Sequence, residues 1–259
     1  VTSTDRRTAL RTGAGLLAAG ALTAGCAPNG AVVHPTSPAH PSSVPRSTPA
    51  AAPAPRLLPG RPAQLTQGPR THPRVALTFH GQGDPALAHT LLTEAEKHGA
   101  RLTVLAVGSW LDQYPDMARR VLDGGHDLGN HTQRHLAVNA MSEADARSEI
   151  TACADRLGHL TGSIGTWFRP SRAPLASPLV LRLARSAGYP HVLSYDVDSL
   201  DYTRPGADAV RRKVLDEVRG GSVVSMHFGY PDTVAALPVV LEELARRGLA
   251  AVTTTELFS

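Results

Sequence analysis

The 259 residues are 42% hydrophobic and hold only 2 cysteines, which excludes a disulfide scaffold and leaves room for one large domain beside a tail. The net charge of +4 is mildly basic, and with no dense Lys/Arg cluster or aromatic interleaving it does not point to nucleic acid. Eleven of the 21 prolines fall between Pro28 and Pro69, so a tail and a compact domain differ in composition.

The tail begins with "DRRTALRTGAGLLAAGALTAGC": Arg6, Arg7 and Arg11, then an apolar run ending at Gly25, then Cys26. Residues 1–26 read as an export signal, too short and too rich in Gly and Ala to span a bilayer. The Arg6-Arg7 pair resembles a twin-arginine signal. "LTAGC" resembles a bacterial lipobox, with Thr23 where leucine is preferred, and makes Cys26 the expected site of lipidation. Residues 27–72 are Pro, Ala, Ser and Thr with almost no aromatics, and are expected to form a disordered tether. The expectation is an exported protein held on the membrane by a lipid, or secreted if the signal is simply cleaved. No other apolar stretch is long enough to cross a membrane.

From residue 73 to 259 strand and helix patterns alternate. "RVALTF" predicts a buried strand and "DPALAHTLLTEAEKHG" a helix. "RLTVLAVG" is the next strand and "LDQYPDMARRVLDGG" the next helix. Ser142 and Asp145 open a helix whose apolar face includes Cys153. "GTWFRP", "HVLSYDVD", "SVVSMHF" and "AAVTTTEL" are expected strands, with helices between them. Repeated β–α units predict an α/β fold with a parallel sheet, either open or closed into a barrel. In either form sites gather at the carboxyl ends of the strands. His80, Arg169, Asp196, Asp198 and His227 all fall at such ends.

"GGHDLGNHTQRH" places His131 and His135 at i, i+4, which on a helical turn would aim both imidazoles the same way. That pair suits a borderline divalent ion such as Zn²⁺, whereas a bare H-x-x-x-H reads equally well as two surface histidines.

With its flanks the stretch resembles the second motif of the polysaccharide deacetylases, the NodB-homology carbohydrate esterases. "LTFHGQGD", "WFRPS", "DVDSLDY" and "VVSMHF" resemble the first, third, fourth and fifth motifs in order. The resemblance implies a distorted, incomplete (β/α) barrel over residues 73–259. It implies metal-dependent removal of acetyl groups from N-acetylglucosamine in peptidoglycan or chitin-like polysaccharide. By position His131 and His135 match metal ligands, His227 the general acid, Asp201 its orienting carboxylate and Arg169 the cation beside the base. Asp198 matches a supporting position, and Tyr202 and Pro170 match sugar contacts.

The first motif departs from the family's Thr-Phe-Asp-Asp-Gly-Pro, because His80-Gly81 follows Thr78-Phe79. Two arrangements compensate. In the favoured one Asp84 is the third ligand and His80 the base; in the other His80 completes a three-histidine site and Asp84 is the base. The bland alternative has Asp84 capping the following helix. Competing functions are a catalytically impaired polysaccharide-binding domain and an O-acetyl esterase of other sugars.

Overall fold

The computed structural model describes residues 51–259. The export signal, Cys26 and residues 27–50 of the expected tether lie outside the described residues. The centre of the fold is β2 (Arg74–Gly81), flanked by β3 (Thr103–Ala106) and β7 (Val223–His227). The parallel sheet runs β4 (Asp127–Asn130), β3, β2, β7, β6 (Val197–Asp198), and β8 (Ala250–Ala251) pairs with the start of β2. Beyond β4, single parallel bridges from Asn130 to Phe168 and from Phe168 to Val192 carry the curve to β5 (Val192–Leu193). Among the described residues no ladder joins β5 to β6, so the barrel has a seam. This is the distorted, incomplete (β/α) barrel that the motifs imply.

The alternation along β2 sets the layers. Val75, Leu77 and Phe79 face outward into the core under the helices, while Ala76 packs inside the barrel with Leu105, Leu193 and Val223. Thr78 and His80 share the inward face with Ala76. Along that face the lining therefore changes from apolar to hydroxyl to imidazole as the strand approaches its carboxyl end.

The helices follow from their caps. Asp84 opens α1 (Pro85–Lys97) by accepting from Ala86 N at 2.8 Å, with proline in the first turn, where its missing N–H costs nothing. Ser142 caps α4 (Glu143–Thr161), which ends at Gly162 in the left-handed region at φ 77°. The expected single helix before β4 is two, α2 (Gly108–Gln113) and α3 (Asp116–Asp123), because Pro115 pushes Tyr114 out of helical geometry. α5 (Pro178–Ser186), α6 (Ala207–Glu217) and α7 (Pro231–Arg246) complete the outer layer.

Three expected strands shrink. "GTWFRP" supplies only the bridging Phe168. "HVLSYDVD" breaks into β5 and β6 because the Asp196 carboxylate takes Val223 N, Ser222 Oγ and Arg70, replacing strand pairing at that position. "AAVTTTEL" keeps only β8; a capping box between Thr253 and Glu256 starts α8 (Thr254–Leu257) and overrides the strand propensity of the threonines.

The expected domain start at 73 is too late. β1 (Gln64–Leu65) pairs in parallel with β5, Leu65 and Ala52 are buried, and Leu58 N donates to His191 Nε2 at 2.9 Å. Composition alone concealed these few apolar anchors among the prolines.

Candidate active site

The in-register pairing of β2 with β7 sets His80 beside His227, and their rings lie 4.2 Å apart by centroid. On its other side the His80 ring is 4.2 Å from that of His131, the first residue after β4. His131 N donates to Ala106 O at 2.9 Å, which ties it to the end of β3. The ends of β4, β2 and β7 thus deliver three imidazoles to one place.

His135 arrives differently from the expected helical turn. Residues 131–135 form a loop in which Thr132 (φ 67°) and His135 (φ 55°) are left-handed. The loop is held from within: Asn130 Oδ1 accepts from Thr132 N, and Thr132 Oγ1 from His135 N. From outside, the buried Glu149 accepts from both Arg134 N and Arg134 Nε, at 2.8 and 2.6 Å. This folding brings the His131 and His135 rings to 4.9 Å, the proximity a helix would have supplied by a different path.

Nitrogens of His80, His131 and His135 lie within 4.8 Å of one another. His131 Nδ1 donates to Arg169 O at 3.0 Å, which fixes the tautomer and leaves Nε2 as a bare acceptor, buried and without a partner. His80 Nδ1 is likewise buried and unpartnered. Two orphaned ring nitrogens cost stability unless something binds them. Burial, followed by the His131, His227, Arg169 and His135 charges, pushes the His80 imidazole well below its usual range. Burial also pushes His131 well down, and His135 falls to about 4 through burial, Arg172 and His227. The three rings are thus neutral at pH 7, the state that divalent metals require. This donor set fits a zinc-like ion.

Asp84 is not part of that group. Its carboxylate caps α1, and the loop before it is pinned by Trp110 Nε1 donating to Gly83 O at 2.9 Å. Gly83 (φ 100°) approaches Gly229 so closely that a Cβ would lie 2.8 Å from its Cα. The local helix signal prevails over the expected ligand role, because an Asp-Pro step at a helix start satisfies its own backbone first.

His227 is oriented by a buried carboxylate. Asp201 accepts from His227 Nδ1 at 2.7 Å, from His227 N at 2.8 Å and from Thr233 Oγ1 at 2.7 Å. With Nδ1 so engaged, Nε2 is the ring atom left for chemistry. Arg169 is wholly buried, yet no carboxylate bonds it: it donates to Thr78 Oγ1, Leu193 O and Ser194 O at 2.8, 3.2 and 3.0 Å. Burial lowers its guanidinium to about 9, against the opposing charges of Tyr195 and Asp198.

These residues open onto a cavity of about 390 Å³ whose lining includes His80, His135, His227, Asp198, Tyr195, Tyr202 and Tyr230. Tyr202 is 47% exposed with its ring 5.4 Å from that of His227. Pro170, expected as a sugar contact, is buried, and Ala173 and Pro174 form that wall instead. Tyr195 and Tyr230 carry no motif spacing that marks them as lining residues, and Ser225 lies inside "VVSMHF", where only the terminal histidine carries an implied role.

The sequence profile described as polysaccharide deacetylase matches residues 67–192. A peptidoglycan-N-acetylglucosamine deacetylase of Bacillus cereus is 30% identical over 193 residues, covering 73% of this chain and 90% of the relative. The chain belongs to the polysaccharide deacetylase family. A chitooligosaccharide deacetylase of Bradyrhizobium is 28% identical over 197 residues, covering 67% of this chain and 85% of the relative. In fold, the chain is similar to a family 4 carbohydrate esterase pseudoenzyme from Bacillus anthracis, with TM-score 0.72 and 23% identity over 77% of this chain and 70% of that one.

As a polysaccharide deacetylase the chain is unusual at its first motif. Gly81, where the family pattern places its second aspartate, points away from the cavity. A Cβ there would meet Val104 Cγ1 at 2.8 Å and Ala106 Cα at 3.1 Å. The backbone therefore leaves no space for a carboxylate at 81, and the imidazole at 80 occupies the place beside His131.

Proposed function

We propose that this polysaccharide deacetylase removes acetyl groups from N-acetylated glycan of the cell envelope, peptidoglycan being the leading substrate, with a divalent ion held by His80, His131 and His135. The observation that carries the reading is the pair of orphaned buried nitrogens, His80 Nδ1 and His131 Nε2, beside a carboxylate-anchored His227. Such an ion, Zn²⁺ by the chemistry of the donor set, supplies Lewis acidity toward a water and an acyl oxygen when bound. The relatives named as deacetylases of peptidoglycan N-acetylglucosamine and of chitooligosaccharide support the substrate class.

The chain's own residues supply orientation and proton transfer. Tyr202 and Tyr230 offer aromatic faces to sugar rings at the cavity wall. Asp201 holds the His227 ring so that Nε2 faces the cavity, takes a proton as water attacks and returns it to the departing amine. Asp84, engaged on its helix, does not share this work. Asp198 faces the cavity beside Tyr195 and offsets part of the buried Arg169 charge.

The test is metal content and acetate release from N-acetylglucosamine oligomers, in the full chain and in His131→Ala. Retained metal in the native chain, lost with acetate release in the variant, supports the hydrolase. A native chain that binds oligomers but holds no metal and releases no acetate supports a second reading, a glycan-binding domain. The replacement of the family's paired aspartates by His80-Gly81 in the first motif favours that second reading.

Export and lipidation at Cys26 belong to the same proposal and rest on the Arg6-Arg7 pair, the apolar run and the lipobox-like "LTAGC". Labelling with a radioactive fatty acid, lost in Cys26→Ala, tests it.

A further inference from the structure

The rim of the cavity carries cations that neither the metal group nor the His227 pair uses. Arg172 lines the cavity next to His135 and is exposed, with no ion pair or hydrogen bond from its guanidinium among the described residues. Its backbone is left-handed at φ 53°, an uncommon state for a residue with a side chain and one that persists where neighbours over-determine it. Here they do: the preceding Ser171 is buried, donates to Leu136 O and accepts from Thr132 Oγ1 at 3.0 Å. The Arg172 turn is therefore bolted to the same loop that presents His131 and His135.

A second arginine repeats the pattern. Arg204 is left-handed at φ 56°, exposed, without a carboxylate partner among the described residues, and stacked 5.8 Å from the ring of Tyr230, which lines the cavity. The one carboxylate among the lining residues, Asp198, sits by Arg169 and Tyr195 and does not neutralise Arg172. A cavity of about 390 Å³ with tyrosines on its walls suits a sugar ring. An uncompensated guanidinium at its edge, on a backbone turn held by Ser171, suits a carboxylate on that sugar or its neighbour, because a planar fork recognises carboxylates in two-point fashion.

We propose that Arg172, assisted by Arg204, selects a glycan whose N-acetylated sugars carry carboxylates over a neutral one. This rests on the deacetylase reading and narrows its substrate class to anionic glycan, of which strands containing N-acetylmuramic acid are the relevant example. Arg172 acts through the substrate's charge and takes no part in the bond cleavage.

The experiment uses the full metal-loaded chain and two oligosaccharides of equal length. One is a neutral N-acetylglucosamine tetramer; the other is a peptide-free strand alternating N-acetylglucosamine with N-acetylmuramic acid. Binding is measured by calorimetry and turnover by acetate release, for the native chain, Arg172→Gln and Arg172→Lys. A charge-assisted contact predicts about tenfold tighter binding of the anionic strand by the native chain. Arg172→Gln loses that preference while its affinity for the neutral tetramer and its metal content stay unchanged; Arg172→Lys keeps part of it. High salt weakens the anionic preference only. Equal affinity for the two strands in the native chain overturns the proposal, as does a preference that survives Arg172→Gln. The deacetylase reading fails separately, by the absence of acetate from both strands, and the binding comparison still decides the role of Arg172.

Discussion

His80 and His227 stand side by side on adjacent in-register strands, their rings 4.2 Å apart, yet each turns to a different neighbour. His227 gives Nδ1 to Asp201, while His80 keeps Nδ1 unpartnered among the histidines after β4. Under the proposed function one strand pair thus separates a proton carrier from a metal-holding ring, and the separation is testable.

Losing even a partner that merely orients a ligand costs about 10–100-fold in metal affinity, so removing the ligand itself should cost more. His80→Ala is expected to lose metal beyond that range. Asp84→Ala is expected to keep its metal and to lose about 1 kcal/mol of stability, the usual worth of a helix cap. Zinc titration and thermal melts of the two variants measure both. Metal lost from Asp84→Ala alone would return the ligand role to Asp84.

Restoring the family's second aspartate should fail. Gly81→Asp forces a Cβ against Val104 and Ala106, and overpacking of this kind costs about 1–3 kcal/mol. A lowered melting temperature with no gain in metal affinity is the expected result. An aspartate that strengthens metal binding there would show that the strand end can turn Gly81 inward.

Asp201→Asn keeps a side chain of similar shape but removes the charge that holds His227. Acetate release is expected to fall by about 100-fold or more, within the range ascribed to a positioned acid or base. Metal content should not change, since among the described residues the Asp201 carboxylate accepts from His227 and Thr233 and from none of the three clustered histidines. Unaltered turnover would remove His227 from the proton path.

The histidine group also sets a pH signature. Burial holds His80 and His131 well below the ordinary imidazole value, and His135 at about 4. In the unfolded chain these rings titrate near about 6.5. Between those limits the unfolded chain binds protons that the folded one refuses, so stability rises with pH. The chelator-treated protein should melt at a steady temperature above pH 6.5 and progressively lower toward pH 4. A melting temperature flat across that window would mean the rings are not desolvated as described.

Much of this was legible before any coordinates. The buried run of β2 marked the central strand, and strand-end placement drew His80, Arg169, Asp198 and His227 into one neighbourhood. The spacing of His131 and His135 brought them together, though by a left-handed loop in place of a helix, because Glu149 and Asn130 supply contacts that local periodicity does not encode. Asp84 shows the opposite case: its local cap signal is the one the structure displays, and it lies outside the three-histidine group that the family resemblance would have it join. The role expected of Arg169 assumed a neighbouring carboxylate base, and the strand instead carries His80 there. The short strand at Gln64 gives no such signal, because two residues cannot show a period.

The gap between β5 and β6 gives Arg169 a mechanical significance. Where other strands are laced by their backbones, this wall is tied across the barrel by one guanidinium reaching from Thr78 to Leu193 and Ser194. Such a strut replaces strand pairing with side-chain donors, so the wall bearing Tyr195 is held to the strand of His80 without a ladder of its own.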